Sequence, residues 1–209
     1  DVIKDRQYTT QADSVARRSA QTAMYHIGEA MVRWIAPILS YTAEEIWENL
    51  PGDRSPSVML EQWYDGLQHL AADDTMGRLF WRRMMAVRGA VNKAMEAQRS
   101  AGVLRGALDA AVTLYCTAEL SETLLALGDE LRFVLITSAV SVEPLEAAGA
   151  DAVSSELPEL KLLIELSAAE KYERCWHRSP SVGVSAAHPT LCDRCIENID
   201  GQGEHRCFA

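Results

Sequence analysis

"MGRLFWRRMMAVRGAVNKAMEAQR", residues 76–99, has two faces whose chemistry disagrees. At 100° per residue, Phe80, Met84, Val87, Val91 and Ala94 centre on one side, closed by Gln98. Arg78, Arg82, Arg88, Lys93 and Arg99 spread over the opposite half. This predicts an amphipathic helix with a core-facing stripe and a basic outer face. A solvated helix face ordinarily mixes signs, and here Glu96 is the single acid. Across residues 78–105, seven basic residues stand against that one acid in a chain of net charge −10. A local excess of Lys and Arg inside an acidic protein defines a phosphate track while discouraging promiscuous nucleic-acid binding. The competing reading is an ordinary solvated surface.

Towards the N-terminus the helical period continues. Met24, Ile27, Met31, Trp34, Ile35 and Ile38 recur at intervals of three and four, predicting a long helix from about Thr10 to Ser40 that Pro37 ends or kinks. Thr42 and Glu45 form a capping-box pattern for a following helix that carries Ile46, Trp47 and Leu50 and stops at "NLPG". Residues 53–75, with scattered Pro, Gly and Asp, read as a loop.

Towards the C-terminus the period shortens. "AAVTLYC" (110–116) and "RFVLITSAVSV" (132–142) read as strands separated by the helical "ELSETLLALGDE", and "LKLLIELS" (160–167) as a third strand. Residues 143–158, "EPLEAAGADAVSSELP", read as a mobile acidic loop. Cys116, on the first strand, is read as a small buried hydrophobe.

The composition, 209 residues with 48% apolar content, allows substantial cores. No apolar run is long enough to span a membrane, and the charged opening residues do not match a signal peptide, so a cytoplasmic protein without a membrane partner is expected. The chain opens in mid-pattern without Met and is read as a piece of something longer. Four of its five cysteines gather near the C-terminus, which argues for metal binding in a reducing compartment rather than a disulfide framework.

That gathering is "KYERCWHRSPSVGVSAAHPTLCDRCIENIDGQGEHRCFA", residues 171–209. Cys192 and Cys195 make a complete CxxC; Cys175 stands upstream with sixteen residues between, and Tyr172 occupies the place where a first CxxC would begin. Paired knuckles of this kind close a tetrahedron of thiolates around zinc, and the metal supplies folding energy that so small a module lacks. A phenol competes poorly with thiolate or imidazole. The expectation is therefore zinc held by Cys175, Cys192, Cys195 and a substitute, with Cys207 or His177 foremost and His188 and His205 also available. The alternative is a metal-free relic. No Walker loop, GxSxG elbow or acid–base carboxylate pair is present.

"DVIKDRQYT" (1–9) followed by "ARRSAQTAMYHIGEAMVRWIAPILSYTAEEIW" (16–47) resembles the helical anticodon-binding domain of the isoleucyl, valyl, leucyl and methionyl tRNA synthetases, with Gln7 at a place that is hydrophobic in that family. "GALDAAVTLY" (106–115), "LGDELRFVLITS" (127–138) and the terminal ribbon are similar to the C-terminal part of the bacterial isoleucyl enzymes. The resemblance implies a mainly α fold: a helical-bundle anticodon-binding domain over 1–100, a small α+β junction domain over 106–168 and a zinc-ribbon module over 171–209. It implies a parent ligase that joins isoleucine to tRNA(Ile) using ATP and magnesium in domains outside this chain. "HIG" at His26–Gly28 is not the HIGH nucleotide signature, because it falls inside a helix, is followed by Glu29, and has no KMSKS companion. This chain by itself is expected to be non-catalytic and monomeric. The resemblance maps the four zinc cysteines onto Tyr172, Cys175, Cys192 and Cys195, places Trp176 beside them, and expects a basic residue at Cys207. Unpaired loop bases are read by stacking and edge hydrogen bonds, for which Trp176, Phe208, Arg174, Arg178 and Arg206 are suited. A DNA-binding module related to the ribbon of the formamidopyrimidine-DNA glycosylases and a protein-docking scaffold are the competing readings. Against the first, the chain opens Asp1-Val2 where those enzymes need a Pro-Glu pair.

Overall fold

The computed structural model describes residues 2–72, 74–171, 173–181 and 183–209. Helix α1 (Lys4–Thr9) leads into α2 (Val15–Ile35) and α3 (Ser40–Asn49). The Ser14 hydroxyl caps α2 by accepting the Arg17 N–H at 3.2 Å, and the helix stops just before Pro37. The Thr42–Glu45 capping box does not form: α3 starts two residues earlier, behind Leu39, without a side-chain cap. Nearby, Glu44 is occupied with the loop instead, accepting the Ser57 hydroxyl and the Val58 N–H at 3.3 Å. Residues 53–75 contain only a 3-10 turn at Val58–Leu60 among those described.

The face of α2 that is buried differs from the one its bulky residues predict. Val32 and Ala36 meet Ala43, Trp47 and Val58, with Ile35 and Leu50 packed against them, and small Ala36 and Ala43 leave room for α3 to approach. The stripe of Met24, Ile27, Met31 and Trp34 is about half exposed, and Ile38 is 82% exposed. On the buried side lies Glu29, 3% exposed, paired with Arg33 at 2.6 Å and with Arg54. Both guanidinium groups lie over the Trp47 ring, at 4.8 and 4.4 Å. The His26 ring pairs with the Tyr64 hydroxyl, a structural contact within α2's flank.

Helix α4 (Arg78–Ser100) buries Met84, Val87 and Val91, as its period predicts, together with Met95, which the predicted stripe left out, while Phe80 and Ala94 are half-buried. It buries them against the sheet, sharing one core with Val112, Leu114, Leu160 and Leu162. Strand β1 (Ala110–Cys116) pairs in parallel with β2 (Ala139–Pro144) and antiparallel with β4 (Leu160–Leu166), which pairs antiparallel with the short β3 (Val153–Ser154). The strand order is β2-β1-β4-β3. Inward-facing Ala110, Val112, Leu114 and Cys116 alternate with half-buried residues along β1. The crossover from β1 to β2 carries α5 (Ala118–Leu125) and α6 (Leu131–Leu135).

The described residues form an α+β mix of helices and one four-stranded mixed sheet. Two expectations are corrected here. The run at 132–142 is a strand only in its second part: Leu131, Phe133, Val134 and Leu135 are buried in α6, which ends at Ile136 with φ 59°. A continuous apolar run fits a buried helix and a buried strand equally well, so period could not separate them. Residues 143–158 form a 3-10 turn and β3, and the Glu156 and Glu159 that follow reach across to Lys93 and to Arg83 at 3.0 Å. Among the described residues no helix is long and apolar enough to cross a membrane.

Candidate metal centre and nucleic-acid interface

Cys192 caps α7 (Asp193–Asp200), its sulfur accepting the Cys195 N–H at 3.2 Å. This turn aims both CxxC sulfurs at Cys175, whose Sγ lies 4.0 Å from that of Cys192. All three thiols are buried and their sulfurs lie within 4.8 Å of one another. Zinc–sulfur bonds of about 2.3 Å in a tetrahedron separate sulfurs by about 3.8 Å, so the three residues fit one zinc ion. Hydrogen bonds from Cys175 and then Cys192 hold the Cys195 thiol far below its ordinary range despite burial, with Arg174 and Arg194 adding to the effect. Contacts with Cys192 and then Cys195, together with burial, push the Cys175 thiol up.

The substitutes for a fourth ligand sit elsewhere. Cys207 is exposed, with its sulfur 3.5 Å from His205 Nδ1 and its N–H donated to Glu130. His177 is buried with Nε2 3.5 Å from Asp5 and its ring edge-on to Phe133. His188 pairs with Asp200 at 2.6 Å. None of them joins the group of three cysteines. Tyr172 lies outside the described residues.

Trp176 follows Cys175 with φ 62° and an indole that is 64% exposed. A bulky residue in the left-handed region is strained, and the fold here holds an aromatic platform out to solvent.

On α4 the basic residues divide. Arg78 and Arg82 are exposed and make no ion pair among the described residues; Arg88 is half-buried and also unpaired, its Nε lacking a hydrogen-bond partner. Lys93 pairs with Glu156, Arg83 with Glu159 and Arg99 with Glu96 at 2.9 Å. Acidic residues from beside β3 and β4 therefore cover part of the track.

The ribbon arginines turn inward. Arg178 binds Asp109 at 2.9 Å and the Ala169 carbonyl at 3.0 Å. Arg206, 7% exposed, binds Asp5 at 2.8 Å and the Ala209 carbonyl, and lies 3.6 Å above the Phe133 ring. Arg174 donates to the Thr9 carbonyl at 3.1 Å. Arg178 and Arg206, expected to face RNA, are consumed by internal partners, because a buried carboxylate needs a cation more than the surface does. The sequence reading missed Asp5 and Arg194, whose ion pair joins α1 to the cysteine cluster; nothing local in either segment signals a contact between the two ends of the chain. Phe208 is partly exposed while its N–H is held by Glu130 at 2.8 Å.

The family model described as the anticodon-binding domain of tRNA ligase matches residues 1–114, and that described as the zinc finger found in FPG and IleRS matches residues 173–198. The whole chain is 58% identical to the isoleucine–tRNA ligase of Marinomonas sp. (strain MWYL1) over 210 residues, which covers 22% of that protein. It is 59% identical over 209 residues to the enzyme of the same name from Pseudomonas aeruginosa (strain UCBPP-PA14), again 22% of that protein. The Azotobacter vinelandii (strain DJ / ATCC BAA-1303) relative is 56% identical with the same coverage. The chain thus spans about a fifth of the length of the curated relatives it matches.

Proposed function

Because the chain belongs to the anticodon-binding family of tRNA ligases, we propose that it is the tRNA-recognition part of an isoleucine–tRNA ligase. Its substrate class is tRNA(Ile), bound through the anticodon stem and loop. The observation that carries this reading is α4, where exposed Arg78 and Arg82 and half-buried Arg88 stay unpaired among the described residues of a chain of net charge −10. Phosphates of the stem neutralise these cations, and exposed Trp176 offers a stacking surface for an unpaired base. Attachment of isoleucine with ATP and magnesium belongs to parts of the ligase outside this chain, which acts as a monomer in the cytoplasm. We divide the chain into a helical segment over 1–100, a junction segment over 106–168 and a ribbon over 171–209.

In the ribbon, Cys175, Cys192 and Cys195 hold zinc; the metal when bound supplies cross-linking that its small core does not. The competing reading as a DNA-repair module rests on the ribbon alone, a type of zinc finger that both families carry.

The test is binding of tRNA(Ile) to the parent and to Arg82→Glu and Arg88→Glu over a range of salt. Each substitution weakens binding and makes log K against log[salt] shallower by about 0.7–0.9 for each phosphate that is no longer neutralised. Unchanged affinity and slope in both variants would remove α4 from the interface. Equal affinity for duplex DNA would favour the repair reading.

A further inference from the structure

The residues interleaved with the clustered cysteines converge on helix α1. Arg174, just before Cys175, donates to the Thr9 carbonyl at 3.1 Å. His177, two residues after Cys175, places Nε2 3.5 Å from Asp5 Oδ2. Arg194, between Cys192 and Cys195, reaches Asp5 Oδ2 at 3.1 Å and the Thr9 hydroxyl at 2.6 Å. Just beyond α7, the Gly201 carbonyl accepts the Gln11 amide at 3.0 Å. Arg206 then closes on Asp5 at 2.8 Å.

The ribbon is also tied to the sheet region, through Arg178 to Asp109 and through Glu130 to the terminal backbone, but its own apolar core is small. The buried apolar cluster of the ribbon consists of the three cysteines, with Leu191 packed against them. Helix α1 has six residues and no side-chain cap, far below the length at which a helix persists by itself. It packs against α2, so its placement bears on the helical segment proposed to meet tRNA.

We infer that Asp5 is a positioning residue through which the three-cysteine centre sets helix α1, so that metal occupancy and the order of α1 are coupled. The inference rests on the reading of Cys175, Cys192 and Cys195 as zinc ligands. Its logic is reciprocal: whatever the metal contributes to α1 through Arg174, His177 and Arg194, Asp5 returns to the metal by holding the knuckles in place. Groups hydrogen-bonded to metal ligands typically change metal affinity by about 10–100-fold when removed, and Asp5, which holds residues beside the ligands, is placed at the lower end of that range.

Two measurements on the full chain test it. Hydrogen exchange of the α1 amides, with zinc bound and after chelation, is expected to speed up on metal removal while the amides of α4 stay protected. Zinc affinity, by competition with a chromophoric chelator, is expected to fall at least about tenfold in Asp5→Asn and to recover in part in Asp5→Glu. Val91→Ala, a core change in α4 remote from the ribbon, controls for general loss of stability and should leave zinc affinity unchanged. If the parent binds zinc but α1 exchange ignores chelation, or Asp5→Asn and Val91→Ala match in zinc affinity, the coupling is wrong while the metal reading stands. A parent chain that binds no zinc overturns both.

Discussion

The Arg206 guanidinium lies 2.8 Å from the Asp5 carboxylate, 201 positions earlier in the chain, and 3.6 Å above the Phe133 ring. Asp5 also receives Arg194 and His177. Burial would raise the Asp5 carboxyl, but the His177 contact and the two arginines outweigh it and hold it well below the usual carboxylate range. An arginine of the C-terminal ribbon is here a structural element, and its removal leaves buried acids short of a partner. Arg206→Ala should therefore cost about 3–5 kcal/mol in urea unfolding, while the salt slope of tRNA binding at temperatures where the variant is folded stays that of the parent. A shallower slope with unchanged stability would put Arg206 in contact with RNA.

Glu156 occupies Lys93 through an ion pair in which both side chains are more than two-thirds exposed. Exposed pairs contribute about 0–1 kcal/mol, so Glu156→Gln should hardly change stability. It should release Lys93 to the basic face, strengthening tRNA binding and steepening the salt dependence by about 0.7–0.9 in slope. Weaker binding in this variant would show that Lys93 and Glu156 act together at the interface.

Glu29 should make folding sensitive to acid. Burial pushes its carboxyl up, but hydrogen bonds from Arg54, Arg33 and Tyr25 prevail and bring it down to about 2 from an ordinary 4.5. A group depressed in the folded state stabilises fully above its unfolded value and loses that contribution as pH falls. The window runs from about pH 4.5 down to about 2, and the amount is about 3 kcal/mol. Comparing urea midpoints at pH 6 and pH 3 for the parent and Glu29→Gln checks this: the variant should be less stable at pH 6 and lose less between the two.

Leu114 and Met31 separate core from surface. Leu114 is fully buried at the centre of β1, and Leu114→Ala should cost about 2–5 kcal/mol. Met31, at half exposure, belongs to the stripe that period predicted as core, and Met31→Ala should change stability by less than about 0.5 kcal/mol in this chain. A large loss at Met31 would mean that the stripe is covered in solution.

The sequence alone determined what is local. The α4 stripe of Met84, Val87 and Val91, the alternation along 110–116 and the strand at 160–167 are periods that any partner surface would have to satisfy, and they are found as read. The three cysteines were legible for a similar reason, since a knuckle is built by the few residues around its CxxC. Tertiary structure decided which apolar face is buried, and which cations are free. Along α2, Val32 and the small Ala36 meet α3, while the bulkier Met31 and Trp34 are half exposed. Arg78 and Arg206 are alike in sequence, yet one stands in water and the other is enclosed by Asp5, Glu204 and Phe133. Hydropathy and charge are properties of a residue, whereas burial and pairing belong to whatever the fold brings beside it, and for Arg206 that neighbour comes from the other end of the chain.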